Sequence, residues 1–302
     1  MAYGEDEGAI GFLVGEANAG MRCMFTMMNN ARLAVGLEGL GIAERAWQQA
    51  DAYARERVQG RVDGRPARLI DFPDVRRMLL TMRSQIAAMR ALSYVAAAAV
   101  DASLRAPDAE QRSAAAGRVA LLTPICKAWC TDLACEIASL GIQVHGGMGF
   151  IEETGAAQHL RDARILPIYE GANGIQALDL AGRKLAMEDG QLPWRLFAEL
   201  RGELGGLPHR EELATALAAL ESATRAVQAD AGLAQAAATP YLRLFGSVLG
   251  AFLLARGAAA AGEGAGGGDW PALARFYVRQ LLPPALGLAA AVSAGGDGLD
   301  LA

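Results

Sequence analysis

Residues 31–61, ARLAVGLEGLGIAERAWQQADAYARERVQGR, place Leu33, Leu37, Leu40 and Trp47 at offsets of 4, 7 and 14, one face of a 3.6-residue helix. The pattern predicts a helix from about Met24 to Gln59. Gly36, Gly39 and Gly41 interrupt the face without ending it, so close backbone packing against a neighbour is expected. A 36-residue amphipathic helix has to bury its stripe against other helices, and that sets the fold class.

The segments on either side agree. A Gly/Pro-containing loop, GRVDGRPARLIDF (60–72), leads to Pro73 and a second helix, about 73–104, with Met78, Met82, Ile86 and Met89 inward. A third helix is expected from Asp108 to Val144, kinked near Thr123–Pro124 and stopped by the glycines of HGGMG (145–149). A short helix, 155–164, and another, from Ala172 to Met187, follow. Four helices on short or moderate loops predict an up-and-down bundle. Residues 192–302 read as three or four more helices, split by a low-complexity linker at 257–269. Upstream, GAIGFLVG (8–15) reads as a strand with nothing before it to pair with. The expected division is 1–22, 23–190 and 191–302.

Composition supports an all-α chain of 302 residues with 53% hydrophobic and 6% aromatic content. The net charge of −5 and scattered basic residues give no argument for nucleic acid. MAYGEDEGAIGF is acidic where a secretory leader is basic and then apolar, so a cytoplasmic protein is expected. The most apolar window, 241–257, carries Arg243 and Arg256 and reads as a buried helix rather than a membrane span. Cys126, Cys130 and Cys135 share the third helix, where buried free thiols are the expectation and a thiolate metal site the alternative. No metal is expected.

GxGxxG, P-loop, HExxH and GxSxG patterns are absent. GGMG could cradle a phosphate with backbone N–H groups or simply end a helix. The sharper signal is RDARILPIYEGANGIQ (161–176), which puts one carboxylate, Glu170, between bulky apolar residues and Gly171. Three readings of Glu170 stay open on the residues alone: a helix-capping acid, a solvated loop acid, or a general base among Ile165, Leu166, Ile168 and Tyr169.

A longer comparison adds to this. QVHGGMGFIEETGAAQHLRDARILPIYEGANGIQALDLAGRKL (143–185) resembles the C-terminal signature of the acyl-CoA dehydrogenase family, and residues 31–61 resemble the first helix of that family's C-terminal domain. FPDVRRMLLTMRSQIAAMRAL (72–92) and the extra C-terminal helices resemble a longer-chain subgroup. The resemblance is strong over residues 8–190 and weak beyond. It implies an FAD-dependent α,β-desaturation of an acyl-CoA thioester with Glu170 as the base. It further implies substrate contacts from Asn29, Arg32, Tyr169 and Gly171, and FAD contacts from Arg57, Gln143, Gly146, Gly147, Ala172, Asn173 and Gly174. Arg57 would meet the FAD pyrophosphate, and Gln143 and Gly147 the FAD of a partner subunit. Taken without the resemblance, Arg32 could pair with a nearby acid, Asn29 could sit on an exposed face, and Arg57 could be a solvated helix end.

Electron-transfer flavoprotein is the implied acceptor, and assembly into dimers or tetramers through the bundle is implied as well. Ala172 departs from the family's usual threonine, whose lost hydroxyl contact is worth roughly 1 kcal/mol. The family's N-terminal helical and middle β-domains have no counterpart in the sequence beyond residues 8–15, so the chain is expected to be a fragment with little activity alone. An acyl-CoA oxidase and a non-catalytic helical association module are the alternatives.

Overall fold

The computed structural model describes residues 4–5, 8–262 and 268–299. Its helices are α1 (Gly20–Glu56), α2 (Pro73–Arg105), α3 (Ala109–His145), α4 (Gly147–Phe150), α5 (Ala156–Ala163), α6 (Asn173–Leu178), α7 (Leu192–Glu203), α8 (Arg210–Ala229), α9 (Ala231–Ala236), α10 (Ala238–Gly262), α11 (Trp270–Phe276), α12 (Leu282–Leu286) and α13 (Leu288–Ala294). A hairpin, β1 (Val58–Val62) and β2 (Arg65–Arg68), links α1 to α2.

α1 and α3 run side by side in the same direction, and the expected glycine packing accounts for how closely they approach. A Cβ on Gly36 would lie 2.8 Å from the carbonyl oxygen of Cys126, and one on Gly39 3.2 Å from that of Cys130. Gly41 faces away, with no atom within 4 Å of its Cβ position. Further along, the ring of Tyr53 stacks on that of His145 at 4.5 Å. α2 returns antiparallel and buries Met82, Ile86 and Met89 as its spacing predicted. α3 passes through Pro124, while the Thr123 hydroxyl donates to the Val119 carbonyl at 2.7 Å. Cys126 and Cys130 are free and buried, and burial pushes the Cys126 thiol up to about 12, which makes it a packing group.

Several expectations change. Residues 8–15 form no strand and pair with no described segment, and Ile10, Phe12 and Val14 are about nine-tenths exposed. The 60–72 loop instead contains the hairpin, turned at Asp63 and Gly64, which both adopt positive φ (49° and 77°), the geometry that an Asp-Gly pair favours. The helix expected at 172–187 is α6 continued as a π-turn, Asp179–Lys184. α10 lies along α2, α3 and α6 to complete the bundle.

Among the described residues the C-terminal part holds seven helices rather than three or four, with Pro193, Pro271 and Pro283 in first turns, where a missing N–H costs nothing. α10 extends through Gly262, so the linker begins later than expected, and residues 263–267 of it lie outside the described residues. α2 and residues Ala238–Ala261 are both long and apolar enough to cross a membrane by length and composition. Tyr241, Phe245, Val248 and Phe252 of the second helix are fully buried in the molecule's own core. That core runs unbroken from the bundle into the C-terminal helices.

Candidate active site

Pro167 stops the helical path after α5, and the segment from Leu166 to Asn173 crosses the middle of α3, at Lys127–Asp132, as a closed loop. The Asn173 N–H donates to the Pro167 carbonyl at 2.9 Å, and the Tyr169 N–H to that of Ile165 at 3.1 Å. Inside the loop, Glu170 and Gly171 are both left-handed (φ 56° and 84°). A non-glycine residue at positive φ is strained, so something has to hold Glu170 there.

Arg32 of α1 is one such group. It is 6% exposed; its Nε donates to the Glu170 carbonyl oxygen at 3.4 Å, and its Nη1 to Asn29 Oδ1 at 3.2 Å. Among the described residues Arg32 forms no ion pair, so its role here is to hold backbone rather than to neutralise an acid. Asn29, itself exposed, orients that guanidinium. Gly171 lies directly beneath: a Cβ there would lie 2.8 Å from Gln176 Nε2 and 3.4 Å from Arg32 Nη2. The Gln176 side chain is fully buried, and its Nε2 donates to the Gly171 carbonyl at 3.4 Å.

The helix-cap reading of Glu170 does not survive. Ala172 is the N-cap of α6, whose first turn holds no acid. Among the described residues the Glu170 carboxylate accepts no hydrogen bond. The apolar enclosure predicted for it is also only partly present: Leu166 is buried under the loop, but Ile165 and Ile168 are 51% and 56% exposed. They point outward because the inner side of the loop is already filled. Tyr169 fixes the outer edge by donating its hydroxyl to the Glu38 carboxylate; partial burial and that neighbouring anion push the phenol up to about 12.

Asn173, expected as a cofactor contact, is bonded within the chain. Its side chain turns inward: Oδ1 accepts from Lys127 Nζ at 2.8 Å, and Nδ2 lies 2.7 Å from Asp132 Oδ1 and 2.9 Å from Thr131 Oγ1. Ala172 and Gly174 beside it are exposed, and no atom lies within 4 Å of a Gly174 Cβ. Lys127, Asp132 and Glu38 escaped the sequence reading. The signal for the first two was a lysine and an aspartate five apart inside the largely apolar run PICKAWCTDLAC.

A second cluster lies at the far end of the bundle. Arg57 follows the last turn of α1, exposed, its side chain bonded to no described residue. The stack of Tyr53 on His145 brings it to the same end as Gln143, Gly146 and Gly147, all exposed where α3 stops. A Cβ on Gly147 would meet nothing within 4 Å, whereas one on Gly149 would lie 2.3 Å from the Ile142 carbonyl oxygen. Gly149 is therefore the glycine of HGGMG that packing requires, and Gly147 lies open to solvent. Arg32 and Arg57 are 25 residues apart on α1, a rise of about 37 Å. The candidate residues thus form two groups separated along α1, one around Arg32 in its N-terminal half and one past its C-terminal end.

Comparison with known proteins fits this arrangement. The pattern described as "Acyl-CoA dehydrogenase, C-terminal domain" matches residues 18–185, and "Acetyl-CoA dehydrogenase C-terminal like" matches residues 196–301. The 3-methylmercaptopropionyl-CoA dehydrogenase of Ruegeria pomeroyi is 47% identical over 283 residues, covering 88% of this chain and 48% of that protein. A butyryl-CoA dehydrogenase of Syntrophomonas wolfei is 34% identical over 302 residues, 93% of this chain and 49% of that protein. The chain spans about half the length of the curated relatives it matches. The fold is shared with the crystal structure of an acyl-CoA dehydrogenase complexed with FAD from Bacillus anthracis, at a TM-score of 0.74 and 20% identity over 92% of this chain and 50% of that one. On the match over residues 18–185, the chain belongs to the acyl-CoA dehydrogenase family through its C-terminal helical domain.

Proposed function

We propose that this chain is the helical half of a flavin-dependent acyl-CoA dehydrogenase and that Glu170 is its base. The observation that carries the reading is a strained, left-handed glutamate whose carbonyl is held by a buried arginine and whose carboxylate is bonded to no described group. A carboxylate spent on structure would have a partner; this one is held in place yet free to take a proton. In the reaction it removes the α-proton of an acyl-CoA thioester and becomes the carboxylic acid. The backbone N–H of Glu170, which donates to no described backbone acceptor, is available to donate to the developing enolate oxygen.

The second cluster fits FAD. Arg57 offers a planar donor fork suited to a pyrophosphate, and Gly147 leaves room for close backbone approach. FAD, when bound, supplies the hydride acceptor for the β-carbon. The separation of about 37 Å between the clusters supports sites shared between two copies, with Glu170 from one chain and Arg57, Gln143 and Gly147 from another. Electron-transfer flavoprotein is the proposed acceptor. Short acyl-CoA thioesters, including the thioether-bearing one in the name of the Ruegeria relative, are the proposed substrates.

The test joins this chain to the N-terminal half of the Ruegeria protein. Reduction of an artificial acceptor is then followed with 3-methylmercaptopropionyl-CoA and butyryl-CoA. Activity that drops at least a thousandfold in Glu170→Gln is expected, and the unjoined chain should bind FAD weakly. Activity that survives the substitution removes Glu170 as the base.

A further inference from the structure

Lys127 has 0% exposure, the lowest of any cation among the described residues, yet it forms no ion pair with any of them. Burying an ammonium without an anion in contact is costly, and a leucine or methionine would suit its surroundings on α3, between Cys126 and Ala128. Core packing therefore gives no reason for a lysine here. The two hydrogen bonds of Nζ do: each is 2.8 Å long, one to the Leu166 carbonyl oxygen and one to Asn173 Oδ1. These acceptors stand at the entrance and the exit of the loop that presents Glu170.

We propose that Lys127 is a positioning residue for Glu170: its ammonium ties the two ends of the 166–173 loop together and so fixes the span over which Glu170 and Gly171 are held left-handed. The inference rests on Glu170 being the base. Arg32 holds the middle of the same loop from α1 and Lys127 holds its neck from α3, so two helices packed through Gly36 and Gly39 deliver both grips. Asn173 keeps Lys127 and Asp132 apart: its Oδ1 faces the lysine and its Nδ2 the aspartate. A neutral amide between the two leaves the ammonium free to hold the loop rather than collapse onto a carboxylate. The charged groups around Lys127 are Asp132 on its own helix, Arg32 on α1 and Glu170 on the loop. Burial is the main cause pushing the ammonium down to about 8, with Arg32 acting the same way and Asp132 and Glu170 opposing. Above that pH the two bonds lose their charge assistance and the tie loosens.

Amide hydrogen exchange on the whole chain tests this, comparing wild type with Lys127→Met. The amides of Tyr169 and Asn173, bonded across the loop, should exchange at least tenfold faster in the variant, while those of Ala43 and Ala46 inside α1 stay within twofold. In wild type the ratio of loop to α1 exchange should rise as pH passes about 8, and in the variant it should be flat. Should Lys127→Met fail to fold, Asn173→Ala removes the exit-side acceptor and is judged by the same ratios. Unchanged loop exchange, or loop and α1 amides loosening together, overturns the proposal. In the joined enzyme, Lys127→Met should lower kcat at least tenfold with KM within threefold; a change confined to KM overturns it as well. Activity surviving in Glu170→Gln would remove the base reading, and the proposal with it, even where exchange shows the tie, so the two failures are told apart.

Discussion

At the scale of single residues, backbone geometry sets the limits of the site. Gly171 combines φ +84° with a Cβ position 2.8 Å from the Gln176 amide nitrogen. Gly171→Ala should therefore cost roughly 1–3 kcal/mol, read as a lowered urea midpoint; an unchanged midpoint would mean the loop is not built as described. Tyr169 gives a pH test. Its phenol is pushed up to about 12 from an ordinary 10, first by burial and then by Glu38. The folded state thus favours the neutral form, so stability present below pH 10 is lost as pH rises toward 12. Ultraviolet titration of the phenolate should show a midpoint near 12, and Glu38→Gln should bring it down. The juxtaposition of Glu170, Arg32 and Gly171 was legible in the sequence because Glu170 and Gly171 stand in a short local pattern. Lys127 was not: the carbonyl it binds lies 39 positions away, and in the sequence it reads as one charge on a long helix. The inward turn of the Asn173 side chain was not legible either, since nothing local says which way an amide turns.

At the scale of elements, the long helices were readable because each buries one stripe, and the stripe repeats every 3.6 residues. Errors came where another rule governed. An Asp-Gly pair made the hairpin that the reading of a Gly/Pro-containing loop passed over, and the alanine run at 258–261 continued α10 because alanine is the best helix former. The strand expected at 8–15 had the right residues and no partner. The contact between α1 and α3 yields a paired prediction from two glycines five residues apart. Gly36→Ala drives a methyl into the Cys126 carbonyl and should destabilise by about 1–3 kcal/mol. Gly41→Ala adds a methyl to open space and should stabilise by about 0.5–1 kcal/mol. Thermal melts of the two variants should move in opposite directions; a shared sign would contradict the parallel packing of the two helices.

At the scale of the whole molecule, the proposed sharing of a site between two copies rests on two clusters about 37 Å apart along α1. In the joined enzyme, Arg57→Ala and Glu170→Gln chains should each be inactive alone. Mixed one to one and reassembled as dimers, they should recover about a quarter of wild-type activity, because half the dimers are hybrids and one of the two sites in each hybrid is intact. No recovery would place both clusters' functions within one chain. Ile165, Ile168, Ile175 and Leu178, all 43% or more exposed around the loop, form an apolar surface of the kind that meets another protein body. Gly147 and Gly174 extend this reasoning to glycines that the fold does not need. With no atom within 4 Å of either Cβ position, alanine at these places should leave the folding of the free chain unaltered. Any penalty that emerges only after FAD or a second chain is added then reports the approach of that second body, which makes these two glycines built-in gauges of assembly.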